Sequence, residues 1–257
     1  MRLAGRQLVR VFLTKLKFNL RSEASKTYLG YIWWILEPAL FVAVLYLIFG
    51  TFRARGNPEF VIFLVCGMLP FLWFSKSVTN SSRSILTGKG LINQVSIHKA
   101  FFPLLSISEN LVKQVFVFIL MLVLLLSYGL EPDLSWLYLF ILIIVQLLVI
   151  VACALIVAAI IPFVPDFHYI IATGMTLLLL VSGLFFDYRT LVLPEHQELF
   201  LLNPMARLIK NYRQVLMDNL QPDWLALGIL AAGCAVVIFG MLALYRRLDT
   251  AFARAVS

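Results

Sequence analysis

The sequence predicts an all-α polytopic membrane protein. It has six transmembrane helices, an N-terminal amphipathic interface helix and an outer re-entrant helical pair between helices 5 and 6. Three observations carry this. Of 257 residues, 62% are hydrophobic and 13% are charged, about half the charged share with which a soluble domain keeps its surface wet. Apolar runs recur along the chain, most of them reaching the ~20 residues that cross ~30 Å of hydrocarbon as a helix. The basic residues fall between those runs and at the ends, unequally on the two sides. Residues 1–257 read as one transmembrane domain.

Residues 1–26 come first. At helical spacing Leu8, Phe12, Leu16 and Leu20 share a face, flanked by Val9 and Leu13. Arg2, Arg6, Arg10, Lys17 and Arg21 form a stripe beside it, and Lys15 alone falls on the apolar side. Such a helix can lie in the membrane plane with its basic stripe at anionic headgroups. An ordinary helix packed on a partner is the alternative. A secretory signal peptide is not expected, because no short apolar core with a small-residue cleavage site follows the basic start.

The predicted spans are 32–52, 60–78, 104–128, 134–164, 170–186 and 224–244. The first is broken by Glu37-Pro38, and the second holds Pro70 with Lys76 near its end. A carboxylate deep in lipid is costly, but Glu37 lies a turn or two from the cytoplasmic end, where a basic partner can reach it. In the third span Glu109 and Lys113 stand four apart, the spacing of an ion pair on one helix face. The fourth carries no charge over some thirty residues, so it must tilt or overrun the core. The fifth is the short one.

Six crossings bring both termini to one side. Thirteen Lys and Arg lie on that side against six on the other, with Lys76 and Lys113 inside spans. The positive-inside rule then makes both ends cytoplasmic. Residues 79–103 become a basic cytoplasmic loop. Residues 187–222 face outward, with apolar pieces too short to span and a break at Asn203-Pro204. Two short helices meeting there and dipping into the membrane satisfy the backbone better than a lipid-exposed loop; a plain outer loop is the other reading.

The net charge of +8 does not point to nucleic acid, since its residues sit where topology and headgroup contact put them. Cys66, Cys153 and Cys234 form no C-x-x-C pair, and His98, His168 and His196 have no metal-ligand spacing. No catalytic constellation is present. Gly88-Lys89-Gly90 is a turn with one positive charge and not a phosphate-cradling loop. No cofactor is therefore expected in this chain, and work against a gradient must draw on another subunit or an ion gradient.

Aromatic residues crowd the ends of the runs: Tyr28, Tyr31, Trp33 and Trp34; Phe71, Trp73 and Phe74; Phe185, Phe186 and Tyr188. An interfacial belt accounts for such rings. A conduit lined by rings, whose faces stack on the C–H faces of sugars, also accounts for them. The sequence does not apportion them.

Several segments resemble the type-2 ABC exporter permeases. These are Lys26 to Pro38 (KTYLGYIWWILEP) with Tyr46 and Phe49, Gly67 to Phe74 (GMLPFLWF), and Phe101-Phe102-Pro103 closing the cytoplasmic loop. Pro165-Asp166-Phe167 stands where the family more often has Arg-Asp. Ser182 to Phe186, then Leu202-Asn203-Pro204-Met205 and Arg213, complete the series. The order covers nearly the whole chain, and the subgroup it resembles exports O-antigen, capsule or teichoic-acid polysaccharides.

The resemblance implies a homodimer with two cytoplasmic ABC ATPase subunits, which bind the ATP and Mg²⁺. It implies an undecaprenyl-type lipid-linked polysaccharide as cargo, membrane lipids as surroundings and a bacterial inner membrane as location. By the same resemblance, Trp33, Trp34, Phe71, Trp73, Phe74, Phe185, Phe186 and Tyr188 would line the path. Arg10, Lys17, Arg83, Lys89, His98 and Lys99 would dock or couple the ATPases, and Asn203, Pro204 and Arg213 would build the outer element. Three other readings stand beside it. They are a type-2 permease for a drug or another lipid, a membrane-embedded glycosyl- or acyltransferase, and a passive channel or anchor.

Overall fold

The computed structural model describes residues 5–51, 58–92 and 97–256. Arg2, Phe52, Arg53, Arg55 and residues 93–96 of the 79–103 loop lie outside them, as does the side chain of Phe49. The described residues are helical with no strand. Helix α1 covers Gly5–Ser25. A 3₁₀ turn, Gly30–Ile32, leads into α2, Trp33–Leu45, and a π-helical turn, Tyr46–Thr51, extends it. Then come α3, Pro58–Ser82, and the short α4, Ser84–Thr87, and α5, Lys89–Ile92. Helix α6 is Phe101–Ser127, and α7, Leu139–Ile160, starts from a 3₁₀ turn at Leu134–Tyr138. Helix α8 is Phe167–Val181, α9 Tyr188–Leu191, α10 Pro194–Phe200 and α11 Pro204–Leu216. The chain closes with α12, Trp224–Arg247, and α13, Asp249–Val256.

Among the described residues, five helical segments are long and apolar enough to cross a membrane: Gly30–Ile48, Glu59–Ser82, Phe101–Ser127, Leu134–Ile160 and Trp224–Arg247. Each contains or closely overlaps a predicted span. The fifth predicted span, 170–186, is instead the 15-residue α8, roughly 22 Å long at 1.5 Å per residue and short of the hydrocarbon thickness. The thirty-residue fourth run does not overrun as one rod. Its helix stops at Ile160, and the turns at 161–163 and 165–166 take up the rest.

Helix α3 is the centre. It packs on α6, α7 and α11, while α7 also packs on α12. Its Val65, Cys66, Leu69, Phe71 and Phe74 are all at most 2% exposed. By contrast α2 and α12 keep most of their apolar side chains outside the core, with Leu225 and Phe239 at 77% and 73% exposed. Such surface is stable only against lipid or another apolar face.

A second cluster sits at one end of the bundle. Ile85, Ile97, Phe101, Phe102 and Leu105 meet Tyr245 of α12 and Phe252 of α13, and Leu8, Val11, Phe12 and Leu16 of α1 pack against them. Phe12 meets Phe101 edge to face at 5.4 Å. The Leu8–Phe12–Leu16 face of α1 is therefore covered in part by the protein itself, while Val9, Leu13 and Phe18 of the same helix are exposed. The eight-residue α13 had no sequence signal as a span and was not foreseen as an element.

Candidate functional site

The inner side of α1 and α2 is joined to α3 and α6 by polar contacts. Lys113 Nζ is 2.6 and 2.5 Å from the two carboxylate oxygens of Glu23, and it lies 5.9 Å over the Trp34 ring. Asn19 Nδ2 donates to Glu109 Oε1 at 2.6 Å. Glu109 and Lys113 are thus held from α1, and the ion pair within α6 expected from their spacing is replaced by these two partners. Glu37 pairs with Lys76 at 2.6 Å, which is the basic partner its position called for. Deeper in, Asn80 Nδ2 donates to Asn110 Oδ1 at 3.2 Å.

A second polar line crosses the centre of the bundle. Gln146 Nε2 donates to the Pro70 carbonyl at 2.7 Å, and its Oε1 accepts from Tyr212 Oη at 2.7 Å. Both side chains are fully buried. A buried amide without partners costs several kcal/mol in lipid, so this line fixes the register of α3, α7 and α11 together. Neither Gln146 nor Tyr212 stood out in the sequence; a lone neutral amide in a run of aliphatics was the available signal.

The α10–α11 end of the bundle is organised by Asn203 and Arg213. Asn203 Oδ1 accepts from the Met205 N–H at 3.0 Å, capping α11, and its Nδ2 donates to Ser182 Oγ at 3.0 Å. Pro204 follows at the first helical position, where its missing N–H is no loss. Helices α10 and α11 meet at Asn203-Pro204 as two short helices. Arg213 donates to the carbonyls of Phe63, Gly183 and Leu184 at 3.1, 2.8 and 3.0 Å, and its guanidinium sits 3.3 Å from the Phe63 ring centroid. Gly183 reaches its turn with φ +69, a conformation glycine adopts freely. One residue therefore ties α3, the end of α8 and α11.

The aromatic sets do not converge on one surface of the subunit. Phe71, Trp73 and Phe74 are 1–2% exposed and pack inside the core, Trp73 edge-on to Phe118 at 5.7 Å. Trp33 is 41% exposed, and the half-buried Trp34 packs with Tyr31 and Phe116. Phe185, Phe186 and Tyr188 are half-buried, the latter two against Phe200. The charged residues of α1 and of the 79–103 loop also divide. Arg10, Lys17, Arg83 and Lys89 are exposed, His98 is half-buried against Tyr245, and Lys99 is 4% exposed and lies 3.5 Å from Asp249 of α13. Gly88 abuts Phe102, where an added Cβ would fall 2.3 Å from the ring.

An all-helical bundle with several helices long and apolar enough to cross a membrane defines a multi-span membrane domain. The family model described as ABC-2 type transporter matches residues 10–217, and the chain belongs to that family. It is similar to the O-antigen export system permease protein RfbA of Myxococcus xanthus, 27% identical over 239 residues, covering 93% of this chain and 92% of that one. A protein of the same name from Klebsiella pneumoniae is 26% identical over 238 residues, covering 91% and 90%. The Polysialic acid transport protein KpsM of Escherichia coli is 26% identical over 250 residues, 91% of each.

Proposed function

We propose that the chain is the membrane-spanning permease subunit of an ABC transporter that exports a polysaccharide. The observation that carries this is the match to permease and transport proteins named for O-antigen and polysialic acid over nine-tenths of both lengths.

In this reading the cargo is a lipid-linked glycan, two copies of the chain form the conduit, and ATP is hydrolysed in two separate cytoplasmic subunits. Six crossings, with α8 and the turn after it as the fifth, put both termini in the cytoplasm of a bacterial inner membrane. The exposed apolar faces of α2 and α12 supply surface for lipid and a second copy. Arg10, Lys17, Arg83 and Lys89, exposed on α1 and the α3–α5 turn, are the ATPase-facing charges, with His98 and Lys99 acting behind them. Trp33, Trp34, Phe185, Phe186 and Tyr188 border the path, and Phe71, Trp73 and Phe74 support it from within the subunit. Helices α10 and α11 form the outer element, re-entrant around Asn203-Pro204, with Arg213 anchoring it.

The test is co-purification of the chain with the candidate ATPase, then ATP hydrolysis by the complex in lipid with and without a lipid-linked glycan. Stimulation by the glycan is expected. A complex that responds to hydrophobic drugs and ignores the glycan, or a chain that conducts with no ATPase at all, would replace this reading.

A further inference from the structure

A cavity of about 880 Å³ lies between the inner face of α1 and helices α3, α4 and α6. Lys15, Asn19 and Glu23, each four residues further along α1, line one side of it. This accounts for Lys15, the one basic residue that falls on the apolar side of α1: it faces a polar chamber.

The carboxylates of the chamber are already engaged. Glu23 is paired with Lys113, and Glu109 accepts from Asn19. Two lining cations, Lys15 and Arg83, have no ion pair with any described residue. Three cations against two carboxylates leave the chamber net positive by one charge, and a net positive concave site favours an anion. Exposed hydrocarbon stands beside it: Lys15 Nζ is 5.6 Å from the centroid of Phe18, a ring 62% exposed. Positive charge inside and exposed hydrocarbon alongside match an amphiphile with an anionic head better than a free ion. Thr79, Asn80 and Ser106 line the same space and offer hydrogen-bonding groups to glycerol or sugar hydroxyls.

We propose that this cavity binds the phosphate-bearing headgroup of a membrane lipid, with Lys15 and Arg83 as its phosphate ligands. The lipid is a phospholipid or a phosphate-linked carrier; the shared chemistry is an anionic phosphate ester on a hydrocarbon body. The site uses the reading of α1 as a helix at the membrane surface and does not depend on what is exported.

The full chain, purified in detergent, is titrated with short-chain phosphatidylglycerol, the matching diacylglycerol and a short polyprenyl pyrophosphate, and bound lipid is counted by native mass spectrometry. Saturable binding of a phosphate-bearing lipid is expected, with weak binding of diacylglycerol. Lys15→Gln and Arg83→Gln should each weaken it roughly fivefold, the worth of one basic residue near an anionic membrane surface. Arg247→Gln, an exposed position near the end of α12 that does not line the cavity, should leave it unchanged. Phosphatidylglycerol binding alone assigns the site to phospholipid, pyrophosphate binding alone to a carrier, and binding of both supports the shared headgroup chemistry. Equal binding of diacylglycerol, no effect of either cavity variant, or the same loss in Arg247→Gln would overturn it. Monodisperse elution of each variant separates lost binding from lost fold. Because no ATPase or glycan is used, failure here leaves the export reading standing, and failure of export leaves this result intact.

Discussion

Tyr212 of α11 donates to Gln146 of α7 at 2.7 Å, with neither side chain reaching solvent. The same amide donates onward to the Pro70 carbonyl, so three helices share one hydrogen-bonded line.

That line gives the first prediction. Tyr212→Phe keeps the ring but leaves Gln146 Oε1 buried and unpaired, a loss of about 1–2 kcal/mol. Gln146→Leu removes both bonds and strands the Tyr212 hydroxyl, so its loss should be larger. The double variant should fall short of the sum by about 0.5 kcal/mol or more, because neighbours in one network do not add. Thermal unfolding in detergent measures this, and strict additivity would mean that the two residues act separately.

Arg213 gives the second. Its three carbonyl acceptors come from two separate segments, and its plane lies against Phe63. An ammonium cannot reproduce that fork or that stacking, so Arg213→Lys should cost about 2–4 kcal/mol. A Cβ at Gly67 would lie 2.9 Å from Arg213 Nη2 and from Leu184 Cδ2. Because the guanidinium is pinned, Gly67→Ala should also destabilise, by about 1–3 kcal/mol. In the Arg213→Lys background the alanine should cost less. An unchanged penalty there would place the clash elsewhere.

Much of this architecture is legible in the sequence because lipid imposes a simple rule: long apolar runs must be helices. The α10–α11 pair was also readable, since Asn203-Pro204 carries its own capping chemistry. What escaped depends on contacts between elements. Glu109 and Lys113 have the spacing of a pair, yet Asn19 and Glu23 of α1 lie closer to hand. Phe71, Trp73 and Phe74 read equally as belt or conduit, and only the packing of α6, α7 and α11 around α3 buries them. Gln146 carries no periodic signal, and α13 is too short for hydropathy to separate from a tail.

His98 supplies a pH dependence. Burial holds its pKa below the ordinary 6.5, Arg246 and Lys99 push the same way, and Asp249 opposes them. Its Nδ1 accepts weakly from the Ala100 N–H at 3.4 Å, which leaves Nε2 as the protonated nitrogen, buried without a partner. The unfolded chain therefore takes up a proton near pH 6.5 before the folded one does. Stability from this group is full above that pH and is lost as pH falls below it toward the depressed value. His98→Gln should flatten the decline of the melting temperature below pH 6.5. A variant curve parallel to wild type would assign the decline to other groups.

Lys99 and Asp249 give the last prediction. Lys99 is 4% exposed; its Nζ donates to the Ile97 carbonyl at 3.2 Å and lies 3.5 Å from Asp249 Oδ1. Asp249 opens α13, whose Phe252 is fully buried and stacks on Tyr245 at 5.1 Å. The partners differ in burial: the Asp249 side chain is 37% exposed and the Lys99 side chain 5%. Asp249→Ala strands an ammonium that water cannot reach, whereas Lys99→Met leaves a carboxylate with Oδ1 buried but part of the group open to water. Removing one partner of a buried pair costs about 3–5 kcal/mol, and exposure on the acidic side reduces this to about 1–3 kcal/mol for Asp249→Ala. Lys99→Met should cost less, and adding it to Asp249→Ala should recover part of the loss, since the stranded charge is then gone. The two single variants and the double, melted side by side at pH 7.5, decide it. If Lys99→Met were the more damaging, the lysine would be held by the Ile97 carbonyl and not by α13.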